Sequence, residues 1–450
     1  MFGRLFGFLR GKPNATPNPA PIAATPEADT PPPFLRREPL LDARQHVTAY
    51  QLSLEKPGGE TRAWHATTQR FFNAAFIGQF IDGRVQAALG PRLAYLPLSV
   101  DSLTHPDLGR LSPDKLVIRF TPAPDVPIDP VVTLPALARL HARGFALALG
   151  HDLEQRGFAP LFEQAHTLVL DEVAQLDPAS LLQQCRHLTQ HYPAARILAC
   201  GVDSMELHQA CKRLGVSLFQ GDFVTQRPVR AGKPLSPYRM VVVELLNGIK
   251  RQAGFDELAG IAWYDPALAY RLLRFVNSAA FGLREKIDNV KNAMTYVGRD
   301  ELYRWLTLLL FSIGKDTHPL DEALRENALV RARLAEHLAQ GALNPRQCDE
   351  VFVTGILSVI DTLFELPMQE ALAQLTLPEP VRAALVQRDG PYAPYLRLAI
   401  ACENGDQVEI ETLAQAHDLD AIRVNQQHID ALAWALGFSE ALGEAATARG

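Results

Sequence analysis

The sequence predicts an α/β first half followed by an all-helical second half. Between residues 34 and 228, short apolar runs such as KLVIRF, FALAL and TLVL alternate with amphipathic segments of helical spacing. This alternation favours a parallel sheet, either open or closed into a barrel. From Tyr238 onward the strand pattern disappears, and apolar residues recur at helical spacing almost to the end of the chain. The two prolines of KPLSPYR mark the joint between the halves.

The N-terminal 33 residues lack the composition of a folded core. Residues 14–33 are rich in Pro, Ala and Thr and have few side chains to bury, which predicts a disordered segment over residues 1–33. The first ten residues, MFGRLFGFLR, are interpreted as a frayed terminus rather than a membrane anchor. We therefore expect a Pro-rich segment at 1–33, a first domain at 34–234 and a helical domain at 235–450.

Composition and charge exclude several classes of protein. A formal net charge of -6 offers no general attraction to nucleic acid or to an anionic membrane, and no apolar run is long enough to span a bilayer. Scattered thiols without metal-type spacing predict reduced cysteines in a cytoplasmic protein. These are Cys185, Cys200, Cys211, Cys348 and Cys402.

Each element of the first half has a local signature. The buried strands are expected at short apolar runs bounded by polar or turn residues, namely HVTAYQLSL, LAYLPLSV, KLVIRF, FALAL, TLVL and RILAC. The segments LPALARLHARG and MELHQACKRLG have helical spacing and end on Gly144 and Gly215, as helices commonly do.

Two segments of this half resemble the EAL domain, a (β/α) barrel of the TIM type that hydrolyses cyclic di-GMP. The run FLRREPLLDARQHVTAYQLSLE is similar to the opening of that domain, and ILACGVDSMELHQACKRLGVSLFQGDFVTQRP is similar to its closing segment. The resemblance implies a closed barrel in which carboxylates and an amide hold two divalent cations. Those cations would activate water and neutralise the phosphodiester.

The metal-binding positions implied by the resemblance are mostly replaced. The signature glutamate falls on Gln51, which has no charge for a hard cation, and the strand asparagine falls on Pro97. The glutamate of the next strand falls on Arg119, a cation in place of an anion, and the late glutamate falls on Cys200. Together these changes predict loss of the cation pair.

The remaining replaced positions also predict loss of the family's metal and phosphate contacts. The arginine that contacts nucleotide phosphate in the family falls on Glu55, which reverses the charge. The Asp-Asp pair falls on Gly150 and His151, with Asp152 one place later, and the lysine of the Lys-x-Asp motif falls on Val169. We interpret the His151-Asp152 dipeptide as structural or solvent-facing rather than as a metal or acid–base site.

Two positions match the family, the partner aspartate at Asp171 and the final glutamine at Gln220. Two surviving side chains are too few to hold magnesium. We therefore expect no catalysis, no metal and no cofactor in the barrel, and loss of cyclic di-GMP binding. The barrel would serve as a scaffold, and a retained pocket for a nucleotide or another small ligand is the alternative.

The segment 265–306 predicts three short helices. Asp265 caps the first, and Pro266 suits the first helical position. Gly298 ends the second helix, and Asp300 opens the third. The order LLRFVNSAAFGLREKIDNVKNAMTYVG followed by WL resembles the HDOD domain, a helical relative of the HD phosphohydrolases that lacks their metal-binding residues.

No metal site is expected in the helical half. Its only His-Asp pair is His417-Asp418, which reads as a helix end followed by a helix capped by Asp418 or Asp420. The run VFVTGILSVIDTLFEL is expected to be one helix with Asp361 among its inward positions. Large aromatic residues are expected as core anchors. These are Trp263, Trp305 and Trp434.

Basic residues in the HDOD-like stretch are interleaved with acidic ones, which predicts a solvated mixed-charge face rather than a nucleic-acid surface. The basic residues are Arg271, Arg274, Arg284, Lys286, Lys291, Arg299 and Arg304.

The sequence thus predicts a bacterial signalling protein that acts by binding rather than by catalysis. The helical domain would present a surface to a response regulator, a kinase or an enzyme of cyclic di-GMP turnover, and the barrel would orient it or support a homodimer. Residues 275–281 and 308–313 are the predicted apolar contact surface. A cyclic di-GMP sensor and a residual phosphodiesterase stay open as alternatives.

Overall fold

The computed structural model describes residues 34–55, 89, 92–103, 105–122, 128–224, 235–277, 283, 285–311 and 320–447. The chain forms two compact units, one made mainly of residues 32–227 and the other of residues 228–400 and 413–450. The predicted domain limits at 34, 234 and 235 stay a prediction, because residues 225–234 lie outside the described part. The predicted disorder of residues 1–33 also lies outside it.

The first unit is a closed eight-stranded barrel. Its strands are β1 (Phe34–Asp42), β2 (Val47–Glu55), β3 (Leu93–Leu98), β4 (Leu116–Phe120), β5 (Ala146–Gly150), β6 (Thr167–Leu170), β7 (Arg196–Ala199) and β8 (Leu218–Phe219). Each strand neighbours the next along the chain, and β8 closes on β1. β1 runs antiparallel to both of its neighbours, and the other pairs are parallel.

All six predicted strands are confirmed as β2 to β7, and closure settles the choice between an open sheet and a barrel. The described helices of this unit are α1 (Pro130–Ala142), α2 (Ala159–Phe162), α3 (Pro178–His191) and α4 (Met205–Arg213). Gly144 and Gly215 follow α1 and α4 with φ of 94° and 92°, so both predicted helix ends are confirmed.

Apolar side chains fill the interior of the barrel. The cluster at its centre contains Leu40, Ala49, Tyr95, Val117, Ala148, Val169, Leu198 and Leu218. The hydroxyl of Tyr95 lies 2.8 Å from the Thr167 hydroxyl, so the one phenol in this cluster has a partner. The barrel is therefore a packed core whose polar side chains lie at the strand ends.

The rest of the described chain is helical. The helices are α5 (Pro237–Lys250), α6 (Phe255–Ala262), α7 (Pro266–Val276), α8 (Val290–Val297), α9 (Arg299–Leu309), α10 (Asp321–Ala339), α11 (Pro345–Leu357), α12 (Ile360–Phe364), α13 (Met368–Ala373), α14 (Glu379–Arg382), α15 (Ala393–Asn404), α16 (Gln407–Ala416) and α17 (Ala421–Thr447). No helix among the described residues is long and apolar enough to cross a membrane.

Local capping chemistry sets the starts of α7 and α17. The Asp265 carboxylate accepts from the backbone N–H groups of Ala267 and Leu268 at 2.9 and 3.3 Å, which confirms the predicted cap. The Asp420 carboxylate accepts from the Ile422 N–H at 3.1 Å, so Asp420 rather than Asp418 caps α17. The third HDOD-like helix begins at Arg299, one residue before the predicted Asp300.

α10 and α11 pack unusually closely at Gly355. A Cβ atom on Gly355 would lie 2.4 Å from the Ala332 Cα atom, closer than van der Waals contact allows. Glycine therefore lets the two helix backbones approach each other directly.

Two sequence predictions for the helical part are wrong. The run VFVTGILSVIDTLFEL is not one helix, because the chain breaks at Ser358 and Val359 between α11 and α12. The Ser358 hydroxyl donates to the Gly355 carbonyl at 2.7 Å and helps to end α11. Trp263 is 58% exposed and is no core anchor, whereas Trp305 and Trp434 are buried as predicted.

Candidate functional site

Four of the eleven predicted site positions meet at the carboxyl ends of the barrel strands. The Arg119 guanidinium, on β4, donates through Nη1 to the Gln51 amide oxygen on β2 at 3.1 Å. The same nitrogen lies 3.8 Å from the sulfur of Cys200, which directly follows β7. Nη2 forms an ion pair with the carboxylate of Asp171, which directly follows β6. Arg119 therefore links β4 to three other strands across the barrel mouth, the end of the barrel at which the carboxyl ends of the parallel strands lie.

Burial and the neighbouring groups determine the charges at this mouth. The Arg119 side chain is only 14% exposed, and burial opposes its charge. Cys200 and Asp171 nevertheless raise the pKa of Arg119 above its ordinary value. Burial raises the pKa of the Cys200 thiol to about 12, so this thiol is neutral at physiological pH. Asp171 is therefore the charged partner of Arg119 near neutrality.

The cation pair implied by the EAL resemblance does not fit this arrangement. A guanidinium always carries its charge, and here it uses both the Gln51 oxygen and the Asp171 carboxylate as acceptors. A divalent cation would have to displace a buried positive charge from its counter-ion. Within the described ranges, no group of three His, Cys, Asp or Glu side chains could hold a metal ion.

Three other predicted positions contribute backbone or apolar surface. Pro97 on β3 stands opposite Arg119 in the strand register, and Val169 is fully buried in the barrel interior. The Gln220 backbone donates to the Ala199 carbonyl at 2.9 Å and accepts from the Val202 N–H at 3.0 Å.

Gly150, His151 and Asp152 make no contact with Arg119 among the described hydrogen bonds and ion pairs. Gly150 ends β5, and His151 and Asp152 lie in the short turn that follows it. Asp152 pairs with the exposed Arg156 at 3.4 Å, in keeping with the expected solvent-facing role. Glu55 ends β2, and its side chain lies outside the described part of the structure.

A second polar cluster in the barrel unit was not predicted. The Glu154 carboxylate lies 2.7 Å from the His187 Nε2 atom and accepts from the Tyr192 hydroxyl at 2.5 Å. Burial opposes the charge of Glu154, but these hydrogen bonds lower its pKa below the ordinary value. The separation of 33 residues between Glu154 and His187 gave no local signal of this contact.

Two predictions for the helical unit are wrong. Arg304, expected on a solvated face, is 5% exposed and binds Glu336 and Asp349 with nitrogen–oxygen distances of 2.8 Å. The apolar residues expected at a contact surface are instead buried wherever they are described, including Phe275, Val276 and residues 308–311. Residues 278–281 and 312–313 of that surface lie outside the described part.

Comparisons with known proteins agree with the division into barrel and helices. Residues 235–379 match the HDOD domain model. The chain is 26% identical over 411 residues to "Cyclic di-GMP phosphodiesterase CdgJ" of Vibrio cholerae, covering 89% of this chain and 92% of that protein. It is 25% identical over 417 residues to "Uncharacterized protein YuxH" of Bacillus subtilis, covering 89% of this chain and 97% of that protein.

Solved structures with similarity include an EAL domain protein from Listeria monocytogenes EGD-e, at 12% identity and a TM-score of 0.35 over 42% of this chain and 86% of that one. BlrP1 from Klebsiella pneumoniae has 19% identity and a TM-score of 0.34 over 44% of this chain and 57% of that one. Both scores are too low to support an argument. A closed barrel thus precedes the residues that match the HDOD domain, and both relatives align along 89% of the chain.

Proposed function

We propose that this chain is a non-enzymatic component of cyclic di-GMP signalling that acts by binding another protein. Its barrel neither hydrolyses nor binds the cyclic dinucleotide. The partner is a response regulator, a kinase or an enzyme of cyclic di-GMP turnover. The signalling context rests on the HDOD match, on the resemblance of two barrel segments to the EAL domain and on the name of the relative CdgJ.

The placement of the Arg119 guanidinium carries this proposal. Hydrolysis of the family's type needs divalent cations to activate water and to neutralise the phosphodiester. Arg119 forms an ion pair with Asp171, the acidic residue that matches the EAL pattern, and also donates a hydrogen bond to the amide oxygen of Gln51. This end of the barrel therefore has a fixed organic cation that Asp171 already neutralises, and its described residues include no ligand set for a metal-bound water.

The first prediction concerns turnover. Purified full-length chain is expected to form no linear dinucleotide from cyclic di-GMP above a blank, with either Mg²⁺ or Mn²⁺ present. Calorimetry with micromolar cyclic di-GMP is expected to show no binding heat, because the Arg119 guanidinium already pairs with Asp171 instead of a phosphate. Chromatographic separation of linear and cyclic dinucleotide measures the first quantity, with CdgJ as the positive control.

The name of CdgJ favours one rival function, a residual phosphodiesterase. Metal-dependent turnover that is abolished by Asp171→Asn would establish this rival and end the proposal. Binding without turnover would instead identify a cyclic di-GMP sensor. An Asp203→Asn variant is the matched control, because Asp203 is an exposed aspartate of the same unit, outside the Arg119 contacts.

Among the described residues, a group of exposed aromatic rings is the best candidate for the partner-binding surface. Trp263, Tyr264 and Tyr270 are 58%, 79% and 52% exposed where α6 ends and α7 begins. Tryptophan and tyrosine are the side chains most often responsible for binding energy at protein interfaces. This surface replaces the buried one expected from the sequence.

The second prediction concerns the affinity of this aromatic surface for the partner. The double variant Trp263→Ala, Tyr264→Ala is expected to lose at least about tenfold in affinity for the partner, since truncating a hot-spot tryptophan or tyrosine costs about 2 kcal/mol or more. Cross-linking in the source cells, followed by titration of the captured signalling protein against purified variants, measures the loss. Val131→Ala and Ile422→Ala remove exposed apolar side chains elsewhere and serve as controls. Equal affinity in all variants would exclude this surface.

A further inference from the structure

A small cavity lies within the helical unit. Its volume is about 180 Å³, and its walls come from α5, α9, α11 and the start of α14. A cavity of about 150 Å³ holds a benzene ring, so this one has room for a molecule of about that size and not for a whole nucleotide. The size limits the ligand before any chemistry is considered.

The cavity has an apolar side. Ile249, Val353 and Val381 line it, and all three are buried. Pro378 adds a further apolar wall. A ligand that fits here therefore has an apolar body, which these side chains would remove from water.

Lys250 supplies a cation without a bonded anion. Its ammonium lies 4.2 Å from the centre of the Tyr303 ring. Among the residues the structure describes, no carboxylate oxygen lies within 4.0 Å of that ammonium. Burial lowers the pKa of Lys250, whereas Glu350 and Asp300 act in the opposite direction from a greater distance. The wall therefore has a partly desolvated positive charge that a ligand carboxylate could pair with.

Asp300 supplies the opposite charge. Its carboxylate makes no ion pair or hydrogen bond with any described side chain, although it lines the same cavity. The other two wall carboxylates are engaged, since Asp349 accepts from Arg304 at 2.8 Å and Glu350 accepts from the Tyr392 hydroxyl at 2.8 Å. Lys250 and Asp300 of the wall thus make no ion pair with a described residue. Arg299, the other wall cation without a described carboxylate partner, donates to the Ala253 carbonyl at 2.6 Å.

A ligand with a single charge would pair with either the Lys250 ammonium or the Asp300 carboxylate and be repelled by the other. We propose that this cavity binds a small zwitterion of the α-amino-acid type, with its carboxylate on Lys250, its ammonium on Asp300 and an apolar side chain against Ile249 and Val353. This ligand site goes beyond the proposed function, because it requires neither a partner protein nor any state of the barrel.

The test uses the full-length chain and the twenty standard L-amino acids as probes. Thermal unfolding at millimolar concentration of each amino acid identifies binders, and calorimetry gives their dissociation constants. At least one apolar amino acid is expected to bind. For L-leucine as the binder, 4-methylpentanoate lacks the ammonium and 3-methylbutylamine lacks the carboxylate. Each is expected to bind at least about tenfold more weakly, the worth of a charged hydrogen bond.

Two variants locate the binding site. Lys250→Met is expected to weaken binding at least about tenfold, and Asp300→Asn about threefold to fivefold because this carboxylate is exposed. Lys286→Met and Asp288→Asn remove matched exposed charges of the same unit outside the cavity and should leave the affinity unchanged. Weaker binding by Asp300→Asn cannot be attributed to unfolding, because a substitution at an exposed position leaves the core intact.

Three results would overturn the proposal. One is that none of the twenty amino acids binds. Another is that the carboxylate or amine analogue binds as tightly as the amino acid. The last is that the Lys250 and Asp300 variants bind no more weakly than the two controls.

Discussion

Replacing Glu336 by glutamine is expected to lower the free energy of unfolding of the helical unit by about 3–5 kcal/mol. The Glu336 carboxylate is 6% exposed and accepts from Arg304 at 2.8 and 3.1 Å and from Arg333 at 2.8 Å. Burial opposes its charge, but the two guanidiniums lower its pKa below the ordinary value. The amide would leave two buried positive charges with much of their compensation removed.

Urea unfolding followed by tryptophan fluorescence measures this loss, because three of the four tryptophans, Trp263, Trp305 and Trp434, lie in the helical unit. Glu285→Gln is the matched control, since this exposed glutamate should change stability by no more than about 0.5 kcal/mol. Equal stability of the two variants would mean that Asp349 alone can compensate Arg304.

Secondary structure was predictable wherever its cause is local. Six barrel strands are apolar runs of four residues or more, and Asp265 caps α7 through its own neighbours. β8 was missed because it has only two residues, Leu218–Phe219. β1 was missed as a strand because four consecutive positions in it are only half-buried, so it shows neither an apolar run nor a clean alternation.

Charge pairs between distant residues were not predictable. The sequence shows a cation at Arg119 and an acidic residue at Asp171, but it does not show that they form a pair. Closure of the barrel brings the two residues together across 52 positions. The same limit explains the error at Arg304, whose partners lie 32 and 45 positions further along the chain. A charge pattern read along one helix shows which charges alternate, and it does not show which of them are buried.

The aromatic error at Trp263 has a different physical cause. Large aromatic side chains are usually well buried, which is why this residue was expected in the core. It stands at the C-terminal end of α6, where the next helix begins three residues later at Pro266. Helical periodicity does not extend through such a turn, so the sequence could not indicate the direction of this side chain.

His337 is expected to make the helical unit sensitive to acid between pH 6.5 and 4. Burial opposes its charged form, and the Arg333 guanidinium repels it, which lowers the pKa of His337 to about 4. Its position in the last turn of α10 would normally favour a positive charge, so burial outweighs the helix dipole. In the unfolded chain the pKa of histidine is about 6.5.

The sign of the effect follows from these two values. Above pH 6.5 the imidazole is neutral in both states, and stability is at its full value. As the pH falls toward 4, the unfolded chain binds a proton that the folded unit does not, so the free energy of unfolding drops. The loss amounts to about 2–3 kcal/mol at pH 4.5.

A His337→Gln variant should therefore lose about 2–3 kcal/mol less than the parent chain between pH 7 and pH 4.5. Urea unfolding at both pH values measures the difference, and titrating groups elsewhere cancel because both proteins share them. His417→Gln is the matched control, because it removes an exposed histidine of the same unit, whereas His337 is mostly buried. Parallel pH dependence in the parent and His337→Gln would show that the folded unit accepts the proton on His337. Arg333 would then have to move away from the imidazole, which the ion pair between Arg333 and Glu336 opposes.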